Sequence, residues 1–233
     1  MLLGFSTGVM HKIYPSTSKE IIDVCLKLGC NAIELNVASA EETKKLEENI
    51  EKIGKVLSGF KYVSLHSPGI KFTFKNDEST KKILDIFQQA YNEFNCQCLV
   101  VHPHLVEDWR IFNKYNFKIA VENMSDNVSF SHPENLKPVF ENNPDFRMVL
   151  DVNHSYKTHK SSKLTNELSL NFKDKIIEVH LSGYDTFHDP LYKTKQLDII
   201  ESIPDKNLPI IIESGCNTIE DMENEYDYIK RNL

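Results

Sequence analysis

Six residues that can bind a metal ion each end a short apolar run of the sequence. They lie 20 to 36 residues apart and are His66, His102, Glu122, Asp151, His180 and Glu213. Imidazole and carboxylate groups are the usual ligands of zinc, manganese and iron. Carboxylates that converge in a pocket repel one another, and a bound dication removes this cost. One polar residue at the end of an apolar run is ordinary, whereas six in the same position predict a shared metal site.

Two further histidines extend this set of candidate ligands. His154 lies three residues after Asp151, and His188 lies between Asp185 and Asp189, either of which could supply a carboxylate. We expect both histidines in loops that leave strands. The candidate metal ligands therefore number eight: the six strand-end residues with His154 and His188.

The apolar runs alternate with longer amphipathic stretches, and this order indicates the elements that must position the ligands. Eight strand–helix pairs averaging about 29 residues each fill the sequence. Such alternation predicts a parallel sheet, and eight units fit a closed (β/α)₈ TIM barrel. A doubly wound open sheet is the main alternative. We expect residues 1–233 to form a single TIM-barrel domain with the metal site at the C-terminal ends of the strands.

The helical pattern is clear in some segments and weak in others. Residues 40–56 carry apolar side chains at helical spacing and predict one helix, whereas residues 107–115 predict a weaker one. Among the candidate substrate-binding residues, Glu34 is expected at the end of the second strand, where it would bind substrate or orient a ligand. Lys71 and Lys157 are expected in loops that face the site, where they could receive a phosphate.

The composition limits the class of protein. The net charge of −7 does not favour nucleic-acid binding, although bound cations or a local basic patch could supply attraction. An odd count of five cysteines does not indicate a disulfide framework. The sequence shows neither a signal peptide nor the roughly 20 apolar residues that span a membrane. We therefore expect a cytoplasmic protein with reduced thiols and no membrane partner.

The strand-end motifs together resemble the xylose isomerase-like TIM-barrel superfamily, which includes endonuclease IV and sugar and sugar-phosphate isomerases and epimerases. The resemblance spans the whole chain, and it rests on the order of short motifs: Leu65-His66-Ser67-Pro68, Val101-His102-Pro103, Val121-Glu122-Asn123, Leu150-Asp151-Val152-Asn153-His154, Val179-His180-Leu181 and Ile212-Glu213-Ser214. It implies a TIM barrel with a catalytic metal centre.

Two branches of this superfamily imply different chemistry. The one-metal epimerase branch uses a Glu–Asp–His–Glu set that Glu122, Asp151, His180 and Glu213 match, with both glutamates as the acid/base pair. The endonuclease IV branch adds two histidines for a first metal, which His66 and His102 match, and Glu122 then bridges two ions. His154 and His188 match two ligands of its third metal. The Asp expected two residues before His188 is Thr186 here, which leaves that third site in doubt.

The additional histidines favour a polynuclear centre over the single ion that an isomerase needs. Our leading hypothesis is an endonuclease IV-like metal-dependent hydrolase that cleaves a phosphoester with one to three divalent ions, zinc or manganese. The first alternative is a one-metal sugar or sugar-phosphate isomerase or epimerase. The second is a non-catalytic metal-binding barrel. The sequence leaves the substrate and the oligomeric state open.

Overall fold

The eight predicted strands form a closed parallel barrel in a computed structural model of the protein, which describes residues 1–69 and 72–233. Each strand pairs with the next, and the last pairs with the first, where Leu3 lies opposite Ile210. The predicted TIM barrel is therefore confirmed. The strands are β1 (Leu3–Ser6), β2 (Ala32–Asn36), β3 (Tyr62–His66), β4 (Cys98–Val101), β5 (Ile119–Glu122), β6 (Arg147–Asp151), β7 (Ile176–Leu181) and β8 (Ile210–Ile212).

Helices cover the outside of the barrel. They are α1 (Lys19–Lys27), α2 (Ala40–Glu47), α3 (Ile50–Leu57), α4 (Glu78–Glu93), α5 (Pro133–Asn142), α6 (Val152–His159), α7 (Lys163–Phe172), α8 (Leu191–Thr194), α9 (Leu197–Glu201) and α10 (Ile219–Asn232). Side-chain caps fix several helix starts, such as Asp77 before α4 and Thr218 before α10. Within residues 1–69 and 72–233, no helix is long and apolar enough to cross a membrane.

Two helical segments differ from the sequence-based prediction. Residues 40–56, predicted as one helix, form α2 and α3 with a break at Asn49. The Asn49 side chain donates a hydrogen bond to the carbonyl of Lys45 at 2.9 Å, and such local bonding competes with a continuous helix. In the segment 107–115, the structure has a 3₁₀ helix at Trp109–Lys114 in place of an α-helix.

The strands have two differently filled faces. The main apolar core lies between the outer face of the strands and the helices. The inner face holds two small apolar clusters, one with Ala32 and Tyr62 and the other with Cys98 and Val100. Because side chains alternate along a strand, residues two or four positions farther along share this inner face. Glu34, His66 and His102 are therefore placed inside the barrel or at its mouth.

The close contact of β1 with β2 requires a glycine. A Cβ built on Gly4 would lie 1.6 Å from the carbonyl oxygen of Ala32, which belongs to the rigid backbone. Any other residue here would therefore push the two strands apart and open the ring. Gly4 thus maintains the barrel wall next to the strand that carries Glu34.

Candidate metal centre

The barrel brings the six strand-end residues together at one mouth. His66, Glu122 and Asp151 are the last residues of β3, β5 and β6, and His180 is next to last in β7. His102 and Glu213 directly follow β4 and β8. All these side chains are buried except those of His102 and Glu213, which are partly exposed. The predicted placement at the C-terminal ends is therefore seen for each residue, while its role as a ligand stays a prediction.

The ligand atoms of the six strand-end residues form two groups, within each of which all atoms lie within 4.8 Å of one another, and a third such group joins His180 to Glu34 and Glu178 deeper in the barrel. We call Glu122, Asp151, His180 and Glu213 the inner group, and His66, His102 and Glu122 the outer group. Glu122 belongs to both. This arrangement is suited to two cations that share one carboxylate.

Glu122 lies at the centre of the site. Its Oε2 is 3.3 Å from Nε2 of His66 and 3.1 Å from Nε2 of His102, and its Oε1 is 3.2 Å from Nδ1 of His154. Burial raises the pKa of Glu122, but the charge of His102 and hydrogen bonds from the three histidines outweigh it and hold the pKa well below its usual range. The residue is thus a carboxylate with both oxygens directed at candidate ligands.

Unsatisfied polar atoms test whether divalent ions fit the inner group. Within the described residues, Oδ2 of Asp151 and Nδ1 of His180 are buried without a hydrogen-bond partner. Nδ1 of His180 lies 3.5 Å from Oε1 of Glu213 and 3.8 Å from Oε2 of Glu122. Ligand atoms about 2.0 to 2.2 Å from a tetrahedral ion lie roughly 3.3 to 3.6 Å apart. The donor types, their spacing and the unpaired atoms therefore fit a divalent ion.

Asp151 is held by its neighbours so that one oxygen remains free. Its Oδ1 accepts a hydrogen bond from the backbone N–H of His154 at 2.7 Å and caps α6. The Asn123 side chain accepts from the N–H of Asp151 at 2.8 Å and donates to its carbonyl at 2.9 Å. These bonds fix the Asp151 backbone and leave Oδ2 without a hydrogen bond among the described residues, 3.4 Å from Nδ1 of His154.

The carboxylates and histidines of the centre perturb one another strongly. Burial raises the pKa of Asp151 to about 7. Burial lowers the pKa of His66, but the charge of Glu34 and the contact with Glu122 outweigh it and raise the pKa to about 9. For Glu213, burial raises the pKa, and the charge of His180 more than offsets this and lowers it to about 2. The shifts of Asp151 and His66 thus reflect burial and neighbouring carboxylates, whereas that of Glu213 reflects the adjacent His180.

His154 and His188 lie beside the two groups rather than within them. His154 is in the first turn of α6, so its predicted loop position was wrong; the cap by Asp151 starts a helix there. Its Nδ1 lies 3.0 Å from the carbonyl oxygen of Asn123. The ring centroid of His188 is 5.5 Å from that of His154, and its Nδ1 shares a 2.8 Å hydrogen bond with Oγ of Ser182. Burial lowers the pKa of His188 to about 4, so its ring is neutral.

The carboxylate expected for a third ion is not replaced by a neighbour. Oδ2 of Asp189 accepts hydrogen bonds from the backbone N–H groups of Asp185 at 2.8 Å, Thr186 at 2.7 Å and Phe187 at 3.0 Å. This carboxylate therefore closes the turn that precedes His188. Asp185 is exposed. In the described part of the chain, neither His154 nor His188 belongs to a group of three candidate ligands.

The residues predicted to bind substrate have different positions. Glu34 lies in the middle of β2, two residues before its end, so the predicted strand-end position was wrong; the strand continues to Asn36. Its side chain is fully buried, with Oε2 3.2 Å from Nε2 of His180. Lys157 lies in the last turn of α6 and not in a loop, because that helix extends to His159. Lys71 lies outside the described residues.

One buried carboxylate near the site was missed from the sequence. Glu178 lies in β7, and its Oε1 is 2.9 Å from Nε2 of His180. The signal for it was present, because residues two apart in a strand share a face. Glu178 therefore had to point into the barrel together with His180.

Comparisons with known proteins find similarity in structure. No family model and no curated protein matches the chain. Endonuclease IV from Thermus thermophilus is 14% identical with a TM-score of 0.64, over 92% of this chain and 94% of that one. D-psicose 3-epimerase from Clostridium cellulolyticum, solved with D-tagatose, is 12% identical with a TM-score of 0.67, over 100% and 99%.

A third similar structure is a xylose isomerase domain-containing protein from Salmonella typhimurium. It is 16% identical with a TM-score of 0.59, over 91% of this chain and 89% of that one. The matches thus extend along nearly the whole length of both chains, although their identities are low. This chain has the fold of the xylose isomerase-like barrels, as the resemblance of its strand-end motifs predicted.

Proposed function

We propose that this chain is a metal-dependent enzyme that hydrolyses phosphoesters at a dinuclear centre. One observation carries the proposal: Glu122 belongs to both ligand groups, with two histidines on one side and the inner group on the other. His66, His102 and Glu122 would hold one divalent ion, zinc or manganese. Glu122, Asp151, His180 and Glu213 would hold the second.

The chemistry that two bound divalent ions supply is activation of water together with stabilisation of the attacking and leaving oxygens. The residues of the chain prepare the site for this. Asp151 and His180 each present an atom that is otherwise unpaired. His188 has a neutral ring whose Nδ1 is bonded to Ser182, so it can orient a substrate without adding a charge. His154 restrains the Oε1 side of Glu122.

The proposed substrate is a phosphoester whose charge is neutralised at the centre itself. The net charge of −7 gives no general attraction to a polyanion, so a nucleic-acid substrate would have to be attracted by the metal centre itself. We further propose that residues 1–233 act as one domain and that the enzyme is cytoplasmic. The five cysteines are free and buried, which agrees with a reducing compartment.

A sugar or sugar-phosphate isomerase or epimerase is the second candidate, and the inner group favours it. That group would hold one ion, and it contains two glutamates, Glu122 and Glu213, which could act as acid and base at a sugar carbon. This reaction has no need of His66 or His102. Solvent deuterium incorporation into a panel of ketoses and their phosphates measures it directly. Deuterium incorporation by the wild type that is lost in Glu213→Gln would favour this second candidate over hydrolysis.

The test of the proposal is phosphodiester cleavage by the zinc- and manganese-loaded protein, with Glu122→Gln as the control. Substrates are an activated aryl phosphodiester, an aryl phosphomonoester and duplex DNA with an abasic site. We expect cleavage of at least one substrate and its loss in the variant. Cleavage of the aryl esters alone excludes the DNA activity. Equal rates for wild type and variant on all three substrates contradict the proposal, and a bound metal without any turnover indicates a non-catalytic barrel.

A further inference from the structure

A second layer of polar side chains lies deeper in the barrel, below the inner group. Glu34 from β2 and Glu178 from β7 both approach Nε2 of His180, at 3.2 Å and 2.9 Å. All three side chains are completely buried. A buried charge is costly unless it is paired, so this layer needs an explanation that the apolar core does not supply.

The two carboxylates differ in how they are held. Oε1 of Glu178 makes a hydrogen bond with Nε2 of His180, and its Oε2 lies 4.0 Å from Sγ of Cys98, which donates to it. Among the described residues, neither oxygen of Glu34 has a hydrogen-bond partner. Glu178 is therefore anchored in one orientation, whereas Glu34 only approaches the ring.

The hydrogen bond to Glu178 decides which nitrogen of His180 can bind an ion. An ionised Glu178 can only accept in this 2.9 Å contact, which requires a proton on Nε2 of His180. An imidazole that binds a metal ion is neutral and carries a single N–H, so a proton on Nε2 leaves the lone pair of Nδ1 for the ion. Nδ1 is the atom that faces Glu122 and Glu213 and has no hydrogen-bond partner within the described residues.

We propose that Glu178 is a positioning residue that fixes the tautomer and ring orientation of His180, so that Nδ1 binds the ion of the inner group. The inference rests on the proposed function only in requiring that an ion binds there. Carboxylates behind a metal-binding histidine act in this way generally, and their loss weakens metal binding by about 10- to 100-fold. The restraint is rigid because Glu178 and His180 lie two residues apart on the same strand, β7.

The first test is a titration of metal-free protein with Co²⁺, in which calorimetry and competition with a chelator measure the affinity for each ion. Wild type should bind two ions. Glu178→Gln should weaken the binding of one ion by about 10- to 100-fold and leave the affinity for the other ion unchanged. His102→Ala should weaken binding of the ion in the outer group, and this difference shows which step of the titration belongs to which ion. Glu34→Gln is the matched control, a change of the same kind beside the same nitrogen, and it should have the smaller effect.

The outcomes separate this inference from the proposed function. A wild type that binds no ion contradicts the proposed function, whereas two ions with unchanged affinity in Glu178→Gln overturn only the role of Glu178. A uniform loss of both ions would mean a general structural role and would also overturn it. An additional ion that both Glu178→Gln and Glu34→Gln abolish would identify the deeper layer as a metal site and refute the positioning role.

A second measurement does not depend on a folded variant. In the zinc-loaded wild type with ¹⁵N-labelled histidine, the ring nitrogens of His180 report which atom carries the proton. We expect the proton on Nε2 and zinc on Nδ1. The opposite assignment, with the proton on Nδ1, would overturn the proposal whatever the variants do.

Discussion

Glu225 in α10 binds the start of α8 and the residue that follows Glu213, and its removal gives the most quantitative prediction. Its side chain is completely buried. Oε1 accepts hydrogen bonds from the backbone N–H of Leu191 at 2.8 Å and from the hydroxyl of Ser214, and Oε2 accepts from the N–H of Tyr192 at 2.9 Å. Ser214 follows Glu213, and Leu191 lies three residues after His188.

The size of the effect follows from these bonds. In Glu225→Gln an NH₂ group must replace one of the two oxygens, so it faces a backbone N–H in either orientation. One hydrogen bond to a charged acceptor is lost and a buried N–H stays unpaired, which costs about 1.5 to 3 kcal/mol. For a chain of this length, a loss of about 2 kcal/mol lowers the melting temperature by about 4 to 8 °C.

The assay is thermal and urea unfolding of the metal-free protein, with Glu223→Gln as the control. Glu223 lies in the same helix and is exposed, so its variant should stay within about 0.5 kcal/mol of wild type. We also expect Glu225→Gln to weaken metal binding, because the loop that holds Glu213 loses its anchor. Equal stability of the two variants would refute the reasoning, since it would mean that the three bonds contribute nothing net.

Three further variants test the arrangement of the site. Glu122→Gln should abolish high-affinity binding of both ions, because this residue belongs to both groups; retention of one tight ion in calorimetry would show that it is not shared. Asp189→Ala should still bind two ions but unfold about 1 to 2 kcal/mol more easily, because its carboxylate closes a turn and is not a ligand; a loss of one ion would disprove this. Asn123→Ala should lower the free energy of unfolding by about 2 kcal/mol and weaken ion binding by the inner group, since Asn123 fixes Asp151 through two bonds. Unchanged affinity for that ion would show that Asp151 needs no such support.

The positions of the six strand-end residues were predictable because two independent features agree on them, the apolar runs in the sequence and the geometry of a parallel barrel. Apolar runs of strand length mark β3 to β8, and a parallel barrel must bring the C-terminal ends of its strands to one mouth. His66, Glu122 and Asp151 are accordingly the last residues of their strands. This part of the site depends only on chain order and on the rule that residues alternate between the faces of a strand.

The local structure beyond the strand ends was less predictable. The start of α6 depends on a tertiary arrangement, in which Asn123 holds Asp151 so that its side chain caps the helix that carries His154. Glu34 was harder to interpret, because a carboxylate within an apolar strand signals burial only when its partner is known and its partner lies on another strand. That partner, His180, becomes evident once the barrel is closed, whereas Glu178 lies two residues from His180 on β7 itself.

The central claim is that the centre holds two divalent ions that share Glu122, and elemental analysis of the metal content per chain tests it most directly. The protein should be purified, loaded with zinc or manganese and freed of loosely bound metal before the measurement. Two ions per chain, reduced to one in His102→Ala, is the result that the geometry predicts. One ion per chain in the wild type, unchanged in His102→Ala, would contradict the dinuclear centre and favour the isomerase.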